Sequence, residues 1–296
     1  MERSISTSSH PSPTPQPELP ARQKTTLILE PSGFWPGVNL RELWKHRGIL
    51  AFLIWRDVKV RYAHTVLGAG WAIFQPVMTM LVFTIIFGRF AKIPSDGVAY
   101  PVFALASLVP WMYFSTATSA ASNSLLTNPE LISKVYVPRL IIPLTPIFSG
   151  LVEFAIGLVM LVLMALYFGL HPSSASILLL PFALGVTIMT AVGVGCWLSA
   201  LNIEYRDVKH ITPFLMQLWM YGSPVVYPLS IVPENIRPFY VLNPMVGAIE
   251  GFRSALLGTR SLELSTAIPA AVVSAILMVT GALYFRHTER VFADVS

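Results

Sequence analysis

Residues 140–168 read LIIPLTPIFSGLVEFAIGLVMLVLMALYF, a run with one ionisable side chain, Glu153. At ~1.5 Å of rise per residue, about 20 helical residues cross the hydrocarbon core of a bilayer, so this run is long enough to span it. Five further stretches are nearly free of charge: Thr65–Gly88, Ala99–Asn123, Ser176–Leu201, Ile211–Tyr227 and Thr266–Phe285. The shortest, Ile211–Tyr227, continues uncharged from Pro228 to Pro233, as a segment bending at the membrane surface would. The pattern predicts an all-α membrane protein with six transmembrane helices. Pro76, Pro101, Pro110, Pro143, Pro146, Pro181, Pro213 and Pro224 fall in or beside these stretches. They read either as packing kinks or as breaks that line a pathway, both of which membrane helices tolerate when neighbours or water satisfy the freed carbonyls.

Composition supports the same class. Hydrophobic residues make up 54% of the 296 and charged residues 12%, about half the charge of a soluble domain; the mean hydropathy is +0.64. The pI near 9.4 does not point to nucleic acid, because the basic residues cluster before the first apolar run and at the ends of the others. Membrane proteins place Lys and Arg in that way, to set orientation and touch anionic lipid. The single cysteine, Cys196, lies inside an apolar run, which excludes an intrachain disulfide and a cysteine-based metal site. Met1–Pro20 lacks an apolar core and is rich in Ser, Thr and Pro, so it reads as a disordered tail and not as a signal peptide.

Six crossings put both termini on one side. That side would hold fifteen of the twenty Lys and Arg; the other would hold Arg89, Lys92, Arg237, Arg253 and Arg260. The positive-inside rule then predicts cytoplasmic termini. Between Leu40 and Tyr62, the residues Leu40, Leu43, Trp44, Ala51, Ile54, Trp55, Val58 and Tyr62 share one helical face, with Arg41, Lys45, Arg56 and Lys59 elsewhere. Ile49, Phe52 and Leu53 break the pattern, and Gly48 divides it. It fits a helix lying in the cytoplasmic interface, or an ordinary surface helix.

Two cytoplasmic loops and one outer segment carry further signals. In Leu125–Arg139, Thr127 or Asn128 can cap a helix that Pro129 starts, Glu130 favours and Pro138 stops. Such a helix is either a plain connector or a plug for a groove on a partner. The loop Asn202–Val208 is densely charged. On the outer side, Asn243-Pro244 opens an amphipathic stretch, Met245–Leu257, with Glu250 and Arg253 at i,i+3, packed at the surface or dipping into the membrane.

No catalytic constellation is visible. The six histidines are scattered, there is no G-x-S-x-G or H-E-x-x-H, and none of the six lysines follows a glycine as a Walker A lysine does. No metal site is expected, and any ATP-driven work would need another polypeptide. Glu153 is the lone ionisable group deep in a span, about 20 Å from its start by helical rise. An ion-coupled carrier would want more such groups. The expectation is that Glu153 faces a watery cavity or is hydrogen-bonded within the bundle.

Four motifs in order resemble the permease subunit of ABC-type-2 exporters, in the branch that exports O-antigen, capsule or teichoic acid chains. They are Arg61-Tyr62 followed by Leu67-Gly68-x-x-Trp71 and Pro76; Asn128-Pro129-x-Leu131-Ile132-x-Lys134-Val135-x-x-Pro138-Arg139; Asn202-x-x-Tyr205-Arg206-Asp207; and Asn243-Pro244 with Arg253 and Gly258. The similarity runs from about Leu40 to Phe285 and excludes the tail.

Composition makes residues 1–33 a disordered Pro/Ser-rich cytoplasmic tail, and the resemblance implies 34–64 as an amphipathic interfacial gate helix and 65–290 as the six-helix permease domain, with a coupling helix near 125–135 and re-entrant outer helices near 232–260. It implies a homodimer in the bacterial inner membrane, seated on two copies of a nucleotide-binding subunit that carries the ATP and Mg. That subunit would press on Leu125, Asn128, Glu130, Leu131, Ile132 and Lys134. Arg56, Lys59, Arg61 and Tyr62 would meet the pyrophosphate of a polyprenyl-linked glycan, a task suited to arginine's bidentate fork. Trp71, Phe74, Trp111, Tyr113, Phe114, Trp219 and Tyr221 would stack on sugars along the channel, or else pack against lipid. Competing readings are a permease for a drug or lipid, and a membrane-embedded glycosyl or phosphoryl transferase.

Overall fold

The computed structural model describes residues 40–63, 68–128, 138–170, 178–205, 207–258 and 261–293. The expected tail, most of the expected coupling helix (Glu130, Leu131, Ile132 and Lys134 among its residues) and Arg206 lie outside them. Regular structure among the described residues is helical throughout. In chain order the helices are α1 (Leu40–Lys45), α2 (Arg47–Tyr62), α3 (Trp71–Phe83), α4 (Tyr100–Thr127), α5 (Ile141–Ser149), α6 (Leu151–Tyr167), α7 (Leu179–Glu204), α8 (Val208–Tyr221), α9 (Arg237–Tyr240), α10 (Pro244–Leu257) and α11 (Leu264–Ala293). The turns of α3 continue as a wider π-helix over Thr84–Phe90.

Four of these segments are long and apolar enough to cross a membrane: Trp71–Phe90, Ile141–Tyr167, Leu179–Glu204 and Leu264–Glu289. The expected spans at Ala99–Asn123 and Ile211–Tyr227 take a different form. The first is α4, whose 28 residues reach about 42 Å at ~1.5 Å each, but which carries Ser, Thr and Asn along much of its length. Its side chains are buried in protein, Phe103, Phe114 and Leu105 almost completely. Its hydroxyls return to their own backbone, as Ser107 does to the Phe103 carbonyl (3.0 Å) and Thr116 to that of Met112 (2.6 Å). A helix enclosed by protein has no need of an all-apolar surface. The second is α8, 14 residues long and so about 21 Å. It ends at Gly222, where the Ser223 hydroxyl donates to the Trp219 carbonyl (2.9 Å) and Pro224 turns the chain.

Small residues set the close approaches. A Cβ on Gly281 of α11 would collide with the Gly193 carbonyl of α7, and one on Gly193 with the Leu277 backbone. A Cβ on Gly247 of α10 would strike Ala270 of α11. Where lipid offers no hydrophobic drive between helices, such contact supplies the packing. α7 is thereby the central post, touched by α4, α10 and α11.

The segment expected to be an amphipathic outer stretch is α10. Its cap forms as the sequence predicts: the Asn243 side chain accepts from the Met245 N–H (3.1 Å), Pro244 begins the helix and Gly258 ends it at φ +64°. It is not amphipathic in effect, because every residue except Glu250 is buried.

α1 and α2 divide at His46, two residues before the expected break at Gly48. The face of α2 that packs is also not the expected one. Leu53, a pattern breaker, is buried against α5, while Trp44 (69% exposed) and Trp55 (58%) point away.

Candidate functional site

Residues 53, 56, 57 and 61 recur at helical spacing, so the same face of α2 that buries Leu53 brings Arg56, Asp57 and Arg61 to α5 and α6. There Arg61 becomes the hub of a polar cluster. Its Nη1 meets Glu153 Oε1 at 3.0 Å, and its Nη2 meets Asp57 Oδ2 at 3.2 Å and the Ser149 hydroxyl at 3.4 Å. Ser149 in turn donates to the Asp57 carboxylate. Tyr62 donates to Glu153 Oε1 at 3.3 Å. The cluster thus ties the last turn of α2 to the junction of α5 and α6, 88 and 91 residues away in sequence.

About a third of each side chain in the two ion pairs is open to solvent. Burial acts to lower the pKa of Arg61, but hydrogen bonding and charge from Glu153, with the charge of Asp57, outweigh it and hold that pKa above the ordinary arginine value. Burial, and then the Glu153 carboxylate, push the Tyr62 phenol up. Arg61 remains a cation and Tyr62 a neutral donor at physiological pH.

Arg61 stands between two cavities. One, of about 220 Å³, is bounded by Arg61, Tyr62 and Glu153 and walled by Trp71, Gln75, Tyr113 and Thr116. The other, of about 200 Å³, is lined by Arg56, Asp57, Arg61, Asn123, Asn128 and Thr145. Across it Arg56 Nη2 donates to Asn128 Oδ1 at 3.2 Å, while the Asn128 amide donates to the Ser124 carbonyl at 3.0 Å. A residue expected at the gate is therefore bonded to one expected in the coupling loop. Lys59 points elsewhere, with its ammonium 4.9 Å from the centre of the Trp55 ring.

The seven aromatics expected along a channel separate into two sets. Trp71, Phe74 and Tyr221 are exposed, Trp71 and Phe74 meeting edge to face at 5.5 Å. Trp111, Tyr113 and Phe114 are buried inside the protomer, with Phe114 against the half-buried Trp219 at 5.1 Å. Tyr113 is buried but still walls the larger cavity, its hydroxyl donating to the Ile147 carbonyl at 3.1 Å. Leu125 is buried with Leu140, Ile142 and Phe285.

A second arginine centre lies near the other end of α4. Arg253 is 3% exposed. It bonds Glu250 (2.8 Å), the Ser107 hydroxyl (2.6 Å) and the carbonyls of Pro224 (2.6 Å) and Tyr227 (3.3 Å), and lies 3.8 Å from the centre of the Phe103 ring. Asn243 reinforces the same region: its Oδ1 accepts from Trp219 Nε1 at 2.9 Å, and its amide donates to the Gly222 carbonyl and the Ser223 hydroxyl.

Asp57 and Ser149 are absent from the sequence-based candidates; the expected i,i+3 pair of Glu250 and Arg253 forms at 2.8 Å, but the sequence does not show the bonds of Arg253 to Ser107 and to the loop after α8. The i,i+4 spacing of Asp57 and Arg61 is a legible pairing signal. Nothing local marks Ser149.

Residues 50–257 match the family model described as ABC-2 type transporter. The chain is 28% identical over 259 residues to the O-antigen export system permease protein RfbA of Myxococcus xanthus, covering 86% of this chain and 98% of that protein. It is 26% identical over 249 residues to a Klebsiella pneumoniae protein of the same name, covering 83% and 94%. The polysialic acid transport protein KpsM of Escherichia coli is 24% identical over 209 residues, 69% of this chain and 80% of that one.

Proposed function

This chain belongs to the ABC-2 type transporter family, and we propose on that premise that it is the membrane-spanning subunit of an ATP-driven exporter of a polyprenyl-linked polysaccharide. The O-antigen and polysialic acid transport proteins that it resembles along most of their length support that cargo class. The observation that carries the reading on the molecule itself is Arg61, a guanidinium at the rim of a 220 Å³ cavity walled by Trp71 and Tyr113. That pairing of a fork-shaped cation with aromatic walls suits a substrate with a phosphate at one end and sugars at the other.

In this reading the bilayer is crossed six times, with α4 and the α8 turn completing the four apolar segments, and both termini face the cytoplasm of a bacterial inner membrane. Two copies of the chain form the pathway, and two copies of a separate nucleotide-binding subunit, carrying ATP and Mg, dock on Asn128 and the loop with Glu130, Leu131, Ile132 and Lys134, while Leu125, buried with Leu140, Ile142 and Phe285, anchors the end of α4 from inside. Arg61 and Tyr62 serve the lipid-linked headgroup, while Arg56 is engaged by Asn128. The exposed Trp71, Phe74 and Tyr221 meet sugar directly, while Trp111, Phe114 and Trp219 back the wall behind them.

The test is affinity purification from native membranes in mild detergent with counting of what accompanies the chain, followed by export in vesicles loaded with polyprenyl-diphosphate glycan and ATP. Equal copies of an ATPase and this chain, with ATP-dependent glycan movement, are the expected result. A chain that purifies alone after crosslinking, or a complex that hydrolyses ATP without moving glycan, would overturn the proposal.

A further inference from the structure

Two carboxylates surround the one guanidinium of the Arg61 cluster, Asp57 at 3.2 Å and Glu153 at 3.0 Å. An arginine placed to collect phosphate would ordinarily be left open or given neutral donors. Here the cation is over-neutralised: an anion entering the larger cavity meets Glu153 beside the guanidinium, while Asp57 lines the second cavity. The Ser149 hydroxyl, the remaining side chain bonded to Arg61, itself donates to Asp57 and adds no positive charge.

The two carboxylates are not equivalent. Asp57 shares a helix with Arg61, one turn away, and moves with it. Glu153 belongs to α6 and borders the larger cavity, so the Arg61–Glu153 bond joins α2 to α6 at the cavity wall. The 220 Å³ cavity is many times the ~10–15 Å³ that one water needs on the same measure, which leaves space for a diphosphate headgroup beside the guanidinium. Glu153 also has a second partner. Tyr62 donates to it at 3.3 Å, so a Glu153 displaced from Arg61 keeps a hydrogen bond, while Asp57 keeps Ser149. An exchange of anions at Arg61 therefore strands neither carboxylate.

We infer that Glu153 is the specificity-determining counter-anion of this site: it occupies Arg61 when cargo is absent, and yields only to a headgroup carrying more charge than its own. The inference rests on the reading of Arg61 as the phosphate contact. Its consequence is selection by repulsion. A monoanionic phospholipid, the commonest anion in such a membrane, offers Arg61 no more charge than Glu153 already does and is repelled by Asp57. A polyprenyl diphosphate offers two phosphates, each able to engage the guanidinium fork, and wins the exchange. Because Tyr62 still holds Glu153 and Asp57 still holds Ser149 after the exchange, α2 stays tied to α6 and α5, and the exchange selects the headgroup without releasing the helix.

The experiment uses the full complex with its ATPase in nanodiscs of zwitterionic lipid, titrated with polyprenyl diphosphate or with phosphatidylglycerol, and reads binding and stimulated ATP hydrolysis. Glu153→Gln keeps the side chain's shape and its acceptor oxygen but removes the charge. The expected result is tighter binding of both lipids with a larger gain for phosphatidylglycerol, so that the preference for diphosphate falls about tenfold, the size of one charge interaction at a half-exposed site. The gain must vanish in the Arg61→Ala, Glu153→Gln double variant. Wild-type preference in Glu153→Gln, or an equal gain in the Arg61→Ala background, overturns the assignment of Glu153 and leaves the exporter reading standing. Unchanged diphosphate binding in Arg61→Ala alone removes the phosphate role of Arg61 itself, and this inference with it. Should Glu153→Gln fail to assemble, Glu153→Ala carries the same test with the same two outcomes.

Discussion

Arg61 and Arg253 sit beside different stretches of α4 and are held in different ways. Ser107, which bonds Arg253, and Asn128, which lies beside the Arg61 cluster, are 21 positions apart, about 31 Å along a helix. Arg253 is almost fully buried, and two of its partners are backbone carbonyls fixed by the chain's own path. Arg61 is a third exposed, and its partners are side chains: two carboxylates and a hydroxyl. Carbonyls cannot be exchanged, and a guanidinium locked among them holds the loop after α8 onto α4 and α10. Carboxylates at a cavity rim can give way to a competing anion. Residue type alone does not separate a structural arginine from a functional one, whereas the kind of partner and its access to solvent do.

The comparison can be broken most severely at Arg253. Arg253→Met leaves Glu250, Ser107 and the Pro224 carbonyl without their donor, and the loss of one partner from a buried charged network costs about 3–5 kcal/mol. Thermal unfolding of the detergent-solubilised complex should show a large drop in Tm or no assembled complex. Arg253→Lys should recover little, since a point charge cannot reach the same set of acceptors. A near-wild-type Tm in either variant would erase the distinction between the two arginines.

Next in size is Asn243→Ala. It removes the α10 cap and the bonds to Trp219, Gly222 and Ser223, worth about 1–2 kcal/mol as a cap with modest additions. The Tm should fall by less than in Arg253→Met, and indole fluorescence should report a wetter Trp219. An unmoved Tm would show that α10 is held by packing alone.

Arg61→Ala should cost under ~1 kcal/mol, because its ion pairs are partly solvated, yet export of glycan should collapse while the complex still assembles. Export at the wild-type rate would return Arg61 to the class of ordinary surface ion pairs.

The same contrast explains what could be read from the sequence. The apolar runs at 140–168, 176–201 and 266–285 correspond to the segments Ile141–Tyr167, Leu179–Glu204 and Leu264–Glu289, where length with hydropathy is a sufficient signal of a helix able to cross a membrane. α4 is where that signal weakens: enclosed by protein, it tolerates Ser107, Thr118 and Ser122, and its importance lies in contacts that periodicity does not encode. Ile211–Tyr227 was read through Gly222 because an uncharged run does not say where a helix stops. Over α1 and α2 the hydrophobic pattern selects the face with Trp44 and Trp55, but the bundle buries Leu53 and with it turns Arg56, Asp57 and Arg61 inward. Glu153 looked solitary because its partners lie some 90 residues upstream, and only the tertiary fold brings them together.

The smallest effect is the most informative about how movement crosses the molecule. Arg56 donates to Asn128, and Asn128 holds the last turn of α4 through the Ser124 carbonyl. This single bond runs from the helix bearing Arg61 to the entrance of the loop proposed to receive the ATPase. Its acceptor is a neutral amide, a weaker partner for a guanidinium than the Glu153 carboxylate is for Arg61. One such bond contributes about 0.5–1.5 kcal/mol, too little to govern assembly. Arg56→Ala and Asn128→Ala should therefore keep a near-wild-type Tm and ATPase rate, with glycan moved per ATP reduced by about the same factor in each. Since both remove one shared contact, the double variant should be no worse than either single one. Losses that multiply would mean that Arg56 and Asn128 act separately, and that the gate and the coupling loop communicate by another route.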